Sequence, residues 1–185
     1  MKAEILSVGT ELLLGEHVYG IDETTLEDVV GKMLIDSGLT ISTAESCTGG
    51  LLAGRLINYP GISSVYLEGV ITYSNESKMK RLNVKEETLK KYGAVSSKTA
   101  AEMAEGIAKA AGTDIGMSVT GIAGPSGGTE EKPVGLVYLG LYLKGMVKTK
   151  ELRIVGGDRQ YIRNRTVVQA LDWLRRELIE YTGKR

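Results

Sequence analysis

Thr43–Ala53 reads TAESCTGGLLA, and the assignment of this stretch decides the fold. To its left, Leu39–Ala44 (LTISTA) alternates β-branched with small residues, the pattern of a strand. To its right, Leu51–Ile57 (LLAGRLI) has helical spacing. Between them sit a carboxylate, two hydroxyls, the chain's only thiol and two glycines. A strand that turns straight into a helix exposes the turn at the carboxyl edge of a sheet, where α/β proteins bind ligands. Backbone N–H groups at the helix start point at whatever is bound there. Gly49 and Gly50 let a substrate approach the main chain closely. Read structurally instead, the same residues are a tight turn with Ser46 or Thr48 as helix N-cap.

Outward from this turn the pattern alternates. Thr24 to Glu27 offers a capping box. A helix follows to Ser37, with Leu26, Val29, Val30, Met33 and Leu34 on one face and Gly38 as its stop. Val65–Ser74 reads as a strand, Asn75 caps a short helix that holds Lys78, and Glu86–Tyr92 forms another. Ser97 starts a helix to Ala111, with Ala100, Met103, Ala104, Ile107 and Ala111 along one face and Gly112 at its end. Asp114–Thr120 is a strand, followed by the glycine-rich loop GIAGPSGGTEEKP, whose second half reads as mobile. Val134–Leu143 and Val147–Val155 form a hairpin around Lys144-Gly145, and a long helix runs from about Gln160 to Tyr181. Ala3–Val8 reads as a further strand. Strands alternating with helices and then a hairpin predict a three-layer α/β/α sandwich with a mixed, mostly parallel sheet of about five strands.

Composition narrows the chemistry. The 185 residues, 42% of them hydrophobic, suit one globular domain with a small extra element at one end. With 23 basic and 23 acidic residues the formal net charge is zero, so no direct nucleic-acid binding is expected. No apolar run approaches a membrane span. Glu4 and Glu11 interrupt the apolar part of the N-terminus, which makes a poor signal peptide, and a cytoplasmic location is expected. One cysteine excludes an internal disulfide. One histidine, His17, would have to carry any His-based metal site or Ser-His-Asp triad alone. The general base of a hydrolase here is then Lys, Asp, Glu or Tyr.

Lys78 lies one turn into its helix, just after the strand that ends near Tyr73, and that strand neighbours the one leading to Ser46. A lysine can deprotonate a serine when burial or nearby positive charge lowers its pKa. Taken alone, Lys78 also reads as a solvated surface lysine. The stretch Val119–Pro125 (VTGIAGP) follows a strand as a phosphate loop would, yet it is neither a P-loop nor GxGxxG. Its N–H groups can form an anion nest, or it is an ordinary loop. Arg159 and Arg163 open the last helix, where arginine can pair with a phosphate or form a surface ion pair. Cys47 competes with Ser46 as nucleophile, but no histidine lies nearby, and a small packed thiol is the preferred reading.

Together these blocks are far more specific than any one. Ala44–Gly50 (AESCTGG), Gly69–Asn75 (GVITYSN) with Lys78, Val119–Pro125 (VTGIAGP) and Lys132–Gly135 (KPVG) closely resemble the CinA C-terminal domain family, which includes bacterial nicotinamide mononucleotide deamidases. The likeness runs from about residue 23 to 182. It implies an amidohydrolase that converts nicotinamide mononucleotide and water to nicotinic acid mononucleotide and ammonia, with Ser46 and Lys78 as a catalytic dyad. It also implies substrate contacts from Tyr73, Thr120 and an arginine at the start of the last helix, with Arg159 preferred over Arg163. In the mechanism so implied, N–H groups near Thr48 to Gly50 hold the oxyanion. The loop Thr120 to Gly124, including Gly121, holds the ribose phosphate with Arg159. No metal or other cofactor is expected, and a homo-oligomer is. The rival expectation is a non-catalytic pyridine-nucleotide-binding or regulatory module. Residues 1–20 resemble the opening of the separate, molybdopterin-binding-like domain of two-domain CinA proteins, as if the rest had been deleted, and residues 21–185 make up the deamidase-like domain.

Overall fold

The computed structural model describes residues 25–183. The expected strand Ala3–Val8, Thr24, His17 and the whole 1–20 segment lie outside the described residues. The elements in order are α1 (Leu26–Ser37), β1 (Ile41–Glu45), α2 (Leu51–Leu56), a 3-10 turn (Ile62–Ser64), β2 (Tyr66–Ile71), α3 (Asn75–Leu82), α4 (Glu86–Tyr92), α5 (Ser97–Ala111), β3 (Ile115–Gly121), β4 (Leu136–Leu143), β5 (Met146–Arg153) and α6 (Arg159–Gly183).

The five strands form one sheet in the order β2-β1-β3-β4-β5. The β2-β1-β3 part is parallel, and β4 and β5 continue it antiparallel. Helices α1, α2 and α6 pack on one face and α3, α4 and α5 on the other, giving the expected three layers. Alternation along β1 decides the layers. Ile41 joins the core that includes Leu34, Leu52, Leu171 and Leu174, whereas Ala44 joins Leu82, Met103 and Ile107 on the opposite face. The two-residue hairpin turn has positive φ at Lys144 (46°) and Gly145 (94°), the geometry that matches strand twist. Among the described residues, no helix is long and apolar enough to cross a membrane.

Several boundaries differ from the sequence reading for local reasons. The capping box of α1 is Thr25 with Asp28, not Thr24 with Glu27. Glu27 is instead buried, where its carboxylate pairs with Arg55 of α2 at 2.7 Å. Gly31 is buried as well, packed against the Tyr59 side chain, where a Cβ would collide. Strand β2 is shorter than the Val65–Ser74 stretch: it runs from Tyr66 to Ile71, and the Thr72 N–H makes the last ladder bond, to the Glu45 carbonyl at 2.9 Å. Ser74, not Asn75, caps α3.

Candidate active site

Strands β1 and β3 lie side by side, and their outgoing connections diverge, β1 toward β2 and β3 toward β4. The crevice beyond their carboxyl ends is the position where open α/β sheets bind ligands. Ser46 is the first residue beyond β1, and its N–H donates to the Val119 carbonyl of β3 at 2.9 Å.

The turn is not capped in the ordinary way. The N-cap of α2 is Gly50, with φ at 96° and no side-chain cap. The Glu45 carboxylate takes that role from the end of the strand, accepting from the N–H groups of Gly50 (3.0 Å), Leu52 (3.1 Å) and Ala53 (2.8 Å). Neither Ser46 nor Thr48 caps the helix, so the structural reading of those hydroxyls does not hold. The Gly49 N–H closes the turn on the Ser46 carbonyl at 3.1 Å. The expected oxyanion donors at Gly49 and Gly50 are therefore already engaged inside the turn. The Thr48 N–H has no partner among the described residues. Cys47 is buried in the apolar core, and burial pushes its thiol up to about 12. It is a packed thiol rather than a nucleophilic thiolate.

Lys78 enters from α3 and is 1% exposed. Its Nζ donates to the carbonyls of Thr72 (2.8 Å) and Tyr73 (3.3 Å) and lies 3.3 Å from Ser46 Oγ. Burial holds its pKa below the usual 10.5. The nitrogen is tetrahedral. With two N–H bonds on the carbonyls, its third direction faces the serine, as a lone pair when neutral and as an N–H when charged. The seat thus fits both states of a proton-shuttling amine. Two hydroxyls flanking the dyad in sequence, those of Thr48 and Thr72, are buried with no hydrogen-bond partner among the described residues. Buried hydroxyls without a protein partner are uncommon.

A second constellation forms the rim. Arg159 donates to the Gly124 carbonyl at 2.8 Å and to the Tyr73 hydroxyl at 3.0 Å, joining α6, the loop after β3 and the segment after β2. Tyr73 is 63% exposed. Gly124 is buried with φ at 76°, and Gly49 is exposed with φ at 61°. Arg163, one turn further along α6, grips the turn after β1: Nε donates to the Cys47 carbonyl (3.1 Å) and Nη2 to the Thr48 carbonyl (2.7 Å). Thr120 and Gly121 are committed to the fold. The Thr120 hydroxyl donates to the Ala94 carbonyl at 2.7 Å, and Gly121 lies so close to Val137 that a Cβ would collide with it. At the end of the glycine-rich loop the Lys132 ammonium donates to the carbonyls of Tyr92 (2.6 Å) and Val95 (2.9 Å).

Sequence reasoning missed Glu45 as the cap, Arg163 as the brace of the turn and Lys132 as the loop's staple. For Glu45 a signal existed: a helix that starts at a glycine, with no Ser, Thr, Asp or Asn in the cap position, needs an acceptor from elsewhere. For the other two, the partners lie 37 to 116 residues away, beyond any local pattern.

Comparison with known proteins agrees with this architecture. A relative from Clostridium novyi whose name refers to competence-damage inducibility is 72% identical over 166 residues, covering 90% of this chain and 40% of its own length. One from Clostridium acetobutylicum, with the same name, is 68% identical over the same shares. The chain thus spans about 40% of the length of these curated relatives. Among solved structures, the competence/damage inducible protein CihA from Agrobacterium tumefaciens superposes with a TM-score of 0.77 at 44% identity, over 80% of this chain and 93% of that one. A CinA superfamily protein from Klebsiella pneumoniae gives 0.81 at 37% identity, over 84% and 96%. The family model for the CinA C-terminal domain matches residues 23–178, and the chain belongs to that family.

Proposed function

We propose that this chain is an amidohydrolase that converts nicotinamide mononucleotide and water to nicotinic acid mononucleotide and ammonia. The observation that carries the reading is the buried Lys78 amine, held on two carbonyls with its third direction on Ser46 Oγ at 3.3 Å. A fully buried lysine without a carboxylate partner is costly, and its depressed pKa is the property a general base needs. The substrate class comes from the family resemblance, supported by the Arg159–Tyr73–Gly124 rim as a place for the ribose phosphate.

In the first step neutral Lys78 removes the Ser46 proton as Oγ attacks the carboxamide carbon. The C=O electron pair moves to oxygen, and the resulting oxyanion is held by the Thr48 N–H group. Lys78 then delivers the proton to the amide nitrogen, the C–N bond breaks, and ammonia leaves an acyl-serine. Water, deprotonated by the same amine, attacks the ester carbon. Collapse returns the proton to Ser46 Oγ and releases the carboxylic acid. The pyridinium charge of the substrate makes its carbonyl more electrophilic and disfavours a second cation nearby, which keeps Lys78 neutral.

The test is ammonia release from nicotinamide mononucleotide by the wild type, Ser46→Ala and Lys78→Ala, with circular dichroism to check the fold. Turnover by the wild type and loss of about 10³-fold or more in both variants is expected. Full turnover by folded Lys78→Ala overturns the dyad. A folded wild type that binds the nucleotide but releases no ammonia points to the non-catalytic module instead.

A further inference from the structure

Arg163 is half-buried against the turn after β1 and reaches two of its carbonyls, instead of pairing with a surface carboxylate as its place in the sequence allows. A third donor, Nη1, is held by the Gln160 side chain at 3.0 Å. The guanidinium fork therefore meets the turn as a rigid, pre-oriented plate. Gly49 is what lets it come so near, since a Cβ there would stand 3.2 Å from Nη2.

The consequence follows from peptide geometry. A trans peptide is planar and holds its C=O and N–H in opposite directions. Drawing the Thr48 carbonyl to Arg163 turns the Gly49 N–H the other way, and there it meets the Ser46 carbonyl at 3.1 Å. Drawing the Cys47 carbonyl to Arg163 turns the Thr48 N–H away from α6 by the same rule. That N–H has no partner among the described residues, while those of Ser46, Gly49 and Gly50 are all engaged. We infer that Arg163 is a positioning residue: it fixes the Cys47–Thr48 peptide so that the Thr48 N–H faces the oxyanion formed at Ser46, rather than binding the substrate phosphate. The inference rests on the amidohydrolase reading above and deepens it.

The experiment measures kcat and KM for nicotinamide mononucleotide in wild type, Arg163→Lys, Arg163→Gln and Arg163→Ala. Loss of one oxyanion donor elsewhere costs about 10²–10³ in kcat, and a mis-set peptide is expected to approach the lower figure in Arg163→Gln. KM stays within about threefold, because only the transition state uses the donor. Arg163→Lys, which can hold only one carbonyl at a time, falls between. Millimolar guanidinium restores part of kcat to Arg163→Ala, a response that general destabilisation does not give. A raised KM with kcat kept overturns the inference and makes Arg163 a phosphate ligand, and so does an unchanged kcat. If Arg163→Gln or Arg163→Ala does not fold, the kcat–KM split in Arg163→Lys decides by the same criteria. A wild type that releases no ammonia overturns the amidohydrolase reading and this inference with it; an active wild type with unaltered variants overturns the inference alone.

Discussion

Two segments leave the sheet at neighbouring carboxyl ends, and they are built in opposite ways. The turn after β1 spans Glu45 to Leu51 and is fastened throughout, by Glu45 on the N–H groups and Arg163 on the carbonyls. The loop between β3 and β4 exposes every residue from Pro125 to Glu131 and is held at points, by Arg159 on Gly124 and by Lys132. Each segment is served by a lysine seated on two main-chain carbonyls. Lys78 is buried, burial depresses its pKa, and a serine occupies its third direction. Lys132 is only partly buried and simply ties the loop to the α4–α5 connection. A pair of carbonyls will seat an ammonium in either place. Burial and a hydroxyl in the remaining direction are what distinguish the Lys78 seat from that of Lys132. Under the amidohydrolase proposal, the tight turn would fix the attacking atom and the loop would meet the outer part of the ligand.

The contrast breaks if the two lysines prove equivalent. Lys78→Ala is expected to lose about 10³-fold or more in kcat. Lys132→Ala should keep kcat within about threefold and show its effect in KM, as a residue that shapes the loop without touching the reacting atoms. Steady-state ammonia release on both variants decides it, and a kcat loss for Lys132→Ala comparable to that of Lys78→Ala would remove the distinction. A stability comparison sharpens the same point. Glu45→Ala leaves three N–H groups at the start of α2 without their charged acceptor, a cost of about 3 kcal/mol or more. Thr129→Ala removes one exposed hydrogen bond in the loop, to the Lys132 N–H, at a cost below about 1 kcal/mol. Urea unfolding of the two variants measures the gap.

The same division governs what the sequence makes legible. Helices ended by glycine were readable because the cause is local: Gly38 and Gly112 both adopt the left-handed conformation, at φ 64° and 66°. The proximity of Ser46 and Lys78 was readable because it needed only one inference, that β2 lies beside β1, and the parallel register Glu45↔Ile71 fulfils it. For Glu45 the glycine at the start of α2 signals that an acceptor is needed, but cap rules look at the residue flanking the helix and do not point five positions back to the acid that supplies it. The Arg163 brace and the Thr120–Ala94 hydrogen bond depend on how α6 and the α4–α5 connection dock, which no local spacing encodes. The rim could be suspected of gathering around Arg159, but its bond to the Tyr73 hydroxyl joins residues 86 apart.

The smallest expected effect bears on whether Lys78 is held as a strained base or merely as a buried lysine, and it can be read without any substrate. Its folded pKa lies below the ordinary 10.5, with burial as the cause. Between that depressed value and 10.5 the unfolded chain binds the proton that the folded chain has released. Unfolding free energy therefore rises with pH across this window, and the cost of burying the amine is fully present below it. Lys78→Met fills similar volume and carries no proton. The difference in stability, wild type minus Lys78→Met, should accordingly grow more positive as pH is raised from neutrality toward 10.5, with contributions from all other groups cancelling in the subtraction. Denaturant titrations of the pair at several pH values measure it. A flat difference would mean that the three acceptors around Nζ compensate its burial completely, and Lys78 would then need the cationic substrate beside it before it could serve as a base at neutral pH.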